Sequence, residues 1–154
     1  MTTDPGSGRV VVRRRIAATR EELFDEWTDP DSMRVWMCPG DVVSADVTLD
    51  PRVGGSLHIL MRSPTQTFEH RGEFTVVDRP AKLAFTWIAV ATDLQPTLVT
   101  VEFLEAGENE TELVLTHEKF PRKEVADKYQ GGWSQIVARL DQHLKRRDQN
   151  AASS

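Results

Sequence analysis

The sequence predicts an α+β fold: a curved antiparallel β-sheet of about seven strands around one long C-terminal helix, with two short helices after the first strand. Three observations predict it. Apolar and polar residues alternate with period two in successive segments between Val43 and Glu118, joined by short turn sequences. From Lys123 to Arg147 the spacing changes to three and four, giving a single apolar stripe. Ahead of Val43 stand two helix-start signals, Thr19-Arg20-Glu21-Glu22 and Asp29-Pro30.

The first strand is read from Val10, Val12, Arg14 and Ile16 alternating with Val11, Arg13 and Arg15. In the capping box that follows, the Thr19 hydroxyl accepts from the Glu22 N–H while the Glu22 carboxylate reaches back. Leu23, Phe24 and Trp27 form the apolar face of this first helix. Asp29 caps the second helix and Pro30 takes its first position; Met33 and Trp36 are its buried side, and Pro39-Gly40 ends it. Strands are then expected over Val43–Leu49, Ser56–Arg62, Phe68–Asp78, Leu83–Val90, Leu98–Leu104 and Thr111–Glu118. Asp50-Pro51 with Gly54-Gly55, Ser63-Pro64, Arg79-Pro80, Asp93 to Pro96 and Ala106 to Asn109 supply the turns. Connections this short make the neighbours antiparallel. The last helix, Lys123 to Arg147, aligns Val125, Tyr129, Trp133, Ile136, Val137, Leu140 and Leu144, with Gly131-Gly132 in its middle. Each helical glycine costs roughly 1 kcal/mol relative to alanine. The pair therefore implies room for something against the helix, tight helix–sheet packing, or a bend.

With 154 residues the chain is expected to form a single domain over 9–147, with flexible tails at 1–8 and 148–154. Its 39% hydrophobic and 28% charged residues fit a globular chain with a real core rather than a disordered one. A net charge of −5, and no basic run beyond Arg13-Arg14-Arg15 and Lys145-Arg146-Arg147, argue against nucleic acid as a partner. Cys38 is the sole cysteine, so no internal disulfide forms, in keeping with a cytoplasmic setting. It reads as a small buried hydrophobe. No leader-type apolar run and no bilayer-length segment occurs, so no membrane insertion is expected. Metal-ligand spacings, nucleophile elbows, phosphate loops and dinucleotide-binding glycine motifs are absent, so no metal, no cofactor and no catalytic residue is assigned.

Taking the less charged side of each strand, the helix-facing set is Leu57, Ile59 and Met61; His70, Gly72, Phe74 and Val76; Leu83, Phe85 and Trp87; Val99, Val101 and Phe103; Leu113, Leu115 and His117. An empty rigid void of roughly 300 Å³ would cost around 7 kcal/mol at about 24 cal/mol per Å³. Total stability is only about 5–15 kcal/mol. The interior must therefore be filled by side chains, water or ligand, and so many inward Trp and Phe residues predict a small, narrowed cavity. The candidate ligand-binding residues are Trp36, Met61, His70, Phe74, Phe85, Trp87, Val101, His117, Tyr129 and Trp133. His70 and His117 are open to three readings: polar contacts for a ligand, a proton carrier, or hydrogen-bonded core histidines.

The element order resembles the helix-grip fold of START-related and birch-pollen-allergen-like domains (the SRPBCC superfamily). More specifically, it is similar to the family named after the activator of heat-shock protein 90 ATPase. The resemblance rests on Leu23-Phe24-Asp25-Glu26-Trp27-Thr28-Asp29-Pro30, Trp36, Gly54-Gly55, Leu83-Ala84-Phe85-Thr86-Trp87, Leu115-Thr116-His117-Glu118 and Gly131-Gly132-Trp133, spread from Val10 to Leu144. The family usually carries a second aromatic after Trp36, where this chain has Met37-Cys38. The resemblance implies binding of a small hydrophobic or amphipathic ligand, lipid- or polyketide-like, between sheet and C-terminal helix. Two alternatives accompany it: a co-chaperone-like stress-response module, and a cyclase- or hydrolase-like enzyme acting on a small hydrophobic substrate. Chaperone-activating members have an additional N-terminal domain that this sequence does not show, so a chaperone partner is not expected. A homodimer stays open.

Overall fold

Seven strands pair edge to edge in one antiparallel sheet in the order β1-β7-β6-β5-β4-β3-β2. They are β1 (Val10–Ile16), β2 (Ser44–Leu49), β3 (Ser56–Arg62), β4 (Thr67–Asp78), β5 (Lys82–Ala89), β6 (Thr97–Gly107) and β7 (Glu110–Glu118). The computed structural model describes the backbone of residues 8–153 and the side-chain surroundings of residues 8–147. From β2 to β7 the chain is a simple meander. Strand β1 pairs with β7 at the far edge, Val10 opposite His117 and Ile16 opposite Thr111. Helices α1 (Arg20–Glu26) and α2 (Pro30–Trp36) therefore carry the chain from one edge of the sheet to the other. The antiparallel sheet gripping a long final helix is the helix-grip architecture that the sequence predicts.

Both short helices start as their sequences dictate. The Glu22 N–H donates to the Thr19 hydroxyl at 3.1 Å and the Thr19 N–H donates to the Glu22 carboxylate at 2.9 Å. The Asp31 N–H donates to the Asp29 carboxylate at 3.0 Å. Caps of this kind are worth about 0.5–2 kcal/mol each.

The final helix, α3 (Lys123–Ser153), continues beyond the expected end at Arg147. Of the tail expected over 148–154, residues 148–153 have helical backbone, while Ser154 and residues 1–7 of the tail expected over 1–8 lie outside the described residues. Val125, Trp133, Ile136, Val137, Leu140 and Leu144 are buried and Tyr129 is half-buried, so the stripe faces the sheet. Arg14 stands on the helix-facing side of β1 and is still partly open to water. There its Nε donates at 2.8 Å to Asp141, a buried carboxylate on α3.

One inward assignment is corrected. Strand β4 bulges between Phe74 and Val76: Phe74 opposes Phe85, but Val77, not Val76, opposes Leu83. The extra residue flips the alternation, and it is Val77 that packs against the core.

Candidate functional site

The space between sheet and helix divides into a solid part and an open part. In the solid part Trp27, Trp36, Phe74, Phe85, Phe103 and Val101 are essentially inaccessible to water. The open part is a cleft of about 480 Å³ at one end of α3. Its helix wall is Lys128, Tyr129, Gly131, Gly132 and Gln135. Facing them are Pro39, Gly40, Asp41 and Val42 from the connection after α2, Met61 and Phe68 from the sheet, His70 on β4, and Ala91 beyond β5. Behind the cleft lies a recess of about 50 Å³ bounded by Trp87, Trp133 and Ile136 together with Met61, His70 and Tyr129.

The glycine pair bears directly on this wall. A β-carbon built on Gly131 would meet nothing within 4 Å, and one on Gly132 would meet only the Pro39 Cβ, at 3.9 Å. Tight helix–sheet packing is therefore not why glycine stands there. The two positions border the cleft, and what their missing side chains leave is cleft volume.

Of the expected binding residues, Met61, His70, Trp87, Tyr129 and Trp133 line the cleft or its recess. Trp36, Phe74, Phe85, Val101 and His117 do not. Trp36 packs edge-on against Trp27, with ring centroids 4.8 Å apart, and donates its indole N–H to Glu26 at 3.1 Å. Phe74 and Phe85 pack on each other at 5.9 Å. An inward-facing pattern marks side chains that leave water, and most of them meet other side chains. The reading also passes over Pro39, Gly40, Asp41, Val42 and Ala91, which lie in connections without periodicity, over Lys128 and Gln135 outside the apolar stripe of α3, and over Phe68, whose shared phase with His70 on β4 is a signal that could have found it. The signal that points to this end of the helix is Gly131-Gly132.

The two inward histidines have opposite surroundings. The Trp133 indole N–H donates to His117 Nδ1 at 2.9 Å. That nitrogen must therefore be the acceptor, and Nε2 carries the proton. Nε2 donates to the Thr97 hydroxyl at 2.7 Å, and Thr97 in turn donates to the Trp87 carbonyl at 2.6 Å. Every polar atom in this chain is used. Burial, helped by His70 nearby, pushes the His117 pKa down to about 3. His117 is thus a neutral structural imidazole tying β7 to α3, β6 and β5.

His70 is 8% exposed and lies against Trp87, ring centroids 4.7 Å apart. Its Nδ1 has no hydrogen-bond partner among the described residues. Burial pushes its pKa down to about 4, against a smaller upward pull from the Ile59 and Phe68 backbone. Beside it the Tyr129 hydroxyl accepts the Trp87 indole N–H at 3.2 Å. Burial raises the Tyr129 pKa, so the phenol keeps its proton at neutral pH. Among the described residues no group of three or more His, Cys, Asp or Glu side chains could hold a metal, and no helix is long and apolar enough to cross a membrane.

A curled antiparallel sheet, a long C-terminal helix and an apolar cleft between them define a helix-grip domain. Residues 17–145 match the family described as activator of Hsp90 ATPase homolog 1-like protein, and the chain belongs to that family. Solved structures agree on the fold. A protein of Nitrosomonas europaea superposes with a TM-score of 0.77 at 19% identity, over 91% of this chain and 96% of its own. One from Arthrobacter aurescens gives 0.78 at 22%, over 90% and 86%. An HSP90 activator from Plasmodium falciparum gives 0.73 at 23%, over 89% and 96%. No protein of curated function matches the chain.

Proposed function

We propose that this protein binds a small, largely apolar molecule in the cleft between α3 and the sheet. The observation that carries the reading is the helix wall itself. Two consecutive glycines in a helix cost roughly 2 kcal/mol relative to alanine, and they open space onto a cleft of about 480 Å³ rather than admitting a neighbouring backbone. That volume lies within the ordinary range for small-molecule sites, about 300–1,000 Å³. Phe68, 40% exposed on the cleft, is the apolar surface an occupant would cover.

Binding fits the floor better than catalysis does. His117 has no free nitrogen, and His70 is too weak a base at neutral pH to abstract protons efficiently. The co-chaperone alternative is carried by the family name and by one structural neighbour, and by no feature of the cleft. A lone, buried Cys38 suits a reducing, cytoplasmic compartment.

The test is native mass spectrometry and thermal shift with a panel of lipid- and polyketide-like compounds. At ligand concentrations about a hundred times Kd the melting temperature should rise by roughly 5–10 °C. Gly132→Leu, which projects a side chain into the cleft, should fold and lose the shift. Absence of binding by every panel member, or full binding by Gly132→Leu, would overturn the proposal.

A further inference from the structure

The floor of the cleft distinguishes between kinds of occupant. Tyr129 has its oxygen engaged by the Trp87 N–H, while its own proton has no acceptor among the described residues. His70, more than nine-tenths buried, holds an unpartnered Nδ1. Both side chains border the cleft and its recess. Two side chains able to hydrogen-bond thus border a recess whose other walls are Pro39, Met61, Trp87, Gly132, Trp133 and Ile136.

No residue lining the recess carries a formal charge at neutral pH. Lys128, the one ammonium on the cleft, belongs to the exposed face of α3 at the mouth. A carboxylate or phosphate pushed to the floor would lose its hydration with no counter-charge in reach. A plain hydrocarbon would seal off the Tyr129 proton unpaired and would leave the already enclosed His70 Nδ1 without a partner. An uncharged oxygen avoids both penalties. A carbonyl accepts from Tyr129, and a hydroxyl can also donate to His70.

We infer that the occupant is a neutral amphipathic molecule whose hydroxyl or carbonyl oxygen enters first and seats between Tyr129 and His70, its apolar body lying outward along Met61, Val42 and Phe68. The inference rests on the cleft being the binding site, and it adds the chemical class and the orientation of what binds.

Four probes with one ring system test it: 2-naphthol, 2-acetylnaphthalene, naphthalene and 2-naphthoate, titrated at pH 7 by calorimetry and by quenching of Trp fluorescence. The two neutral oxygen-bearing probes should bind about tenfold more tightly than naphthalene or 2-naphthoate, a difference of roughly 1.4 kcal/mol. Tyr129→Phe should remove the preference for 2-acetylnaphthalene, and His70→Phe should reduce that for 2-naphthol, with naphthalene still bound and the far-UV dichroism unchanged. Equal binding of naphthalene and 2-naphthol, tightest binding of 2-naphthoate, or preferences that survive both substitutions would overturn this inference and leave the cleft as a site. Binding of none of the four would count against both.

Discussion

A β-carbon at Gly72 would run into the carbonyl oxygen of Thr86, whereas at Gly131 it would meet nothing within 4 Å. The same glycine-to-alanine change should therefore have opposite signs at the two places. At Gly72, where β4 runs close beside β5, the added methyl must push a backbone strand away; overpacking of this kind costs about 1–3 kcal/mol. At Gly131 and Gly132 it removes a helix penalty without creating a clash, so each substitution should raise stability by up to about 1 kcal/mol. Urea denaturation of Gly72→Ala, Gly131→Ala and Gly132→Ala reads this directly. A destabilised Gly131→Ala would mean that the glycine serves a bend in the helix and not the cleft. If the stable variants also bind the cleft's occupant more weakly, the helix has given up stability for room, a trade-off expected where function needs open space.

Three helices that share no backbone pairing are joined through one carboxylate. Glu26, at the end of α1, is 3% exposed. Its Oε1 accepts the Trp36 indole N–H from α2 at 3.1 Å, and its Oε2 meets the Arg147 guanidinium from α3. His143 Nε2 lies 3.2 Å from Oε1 but off the line of a hydrogen bond, so it stands in the same pocket without a partner. Arg147 reaches Glu26 because α3 runs on past the sheet. Truncating Glu26 would leave the Trp36 N–H buried and unpaired and the pocket without its anion, whereas an amide still accepts from Trp36. Glu26→Leu should cost about 2–3 kcal/mol and Glu26→Gln about half as much. A double-mutant cycle with Trp36→Phe, followed by urea denaturation, should give a coupling near 1 kcal/mol. Additive effects would show that the two side chains are merely neighbours. Nothing in the chain's periodicity announces this joint: Glu26 reads as helix surface, because a carboxylate is ordinarily wet and its partners lie 10 and 121 positions away.

Across the whole molecule, what was legible in the sequence is what local geometry controls. Strand alternation follows from the pleat and helix starts follow from their caps, so the strands from Val10 to Glu118 and both short helices could be placed. Val76 could not, since one extra residue in β4 reverses the faces beyond it. Nor does periodicity separate His70 from His117: both face inward, and only the fold shows one at a cleft and the other locked between Trp133 and Thr97. What the two share is a consequence for the entire fold. Their folded pKa values, about 4 and about 3, lie below the ordinary histidine value near 6.5. Between those limits the unfolded chain binds protons that the folded chain refuses. This part of the stability is complete above about pH 6.5 and is lost as the pH falls, by about 1.4 kcal/mol per pH unit for each histidine. Urea midpoints measured from pH 7 to 4.5 should thus fall steeply, and His70→Phe should roughly halve the dependence by removing one of the two refused protons. Protonating His117 also places an N–H against the Trp133 N–H. Because the folded protein refuses that proton down to about pH 3, the near-UV dichroism of the tryptophans should hold across this range and be lost only as the protein unfolds. A midpoint that stays level down to pH 5 would mean that neither imidazole is held neutral in the folded protein, and the neutral Trp133–His117–Thr97 chain would have to be redrawn.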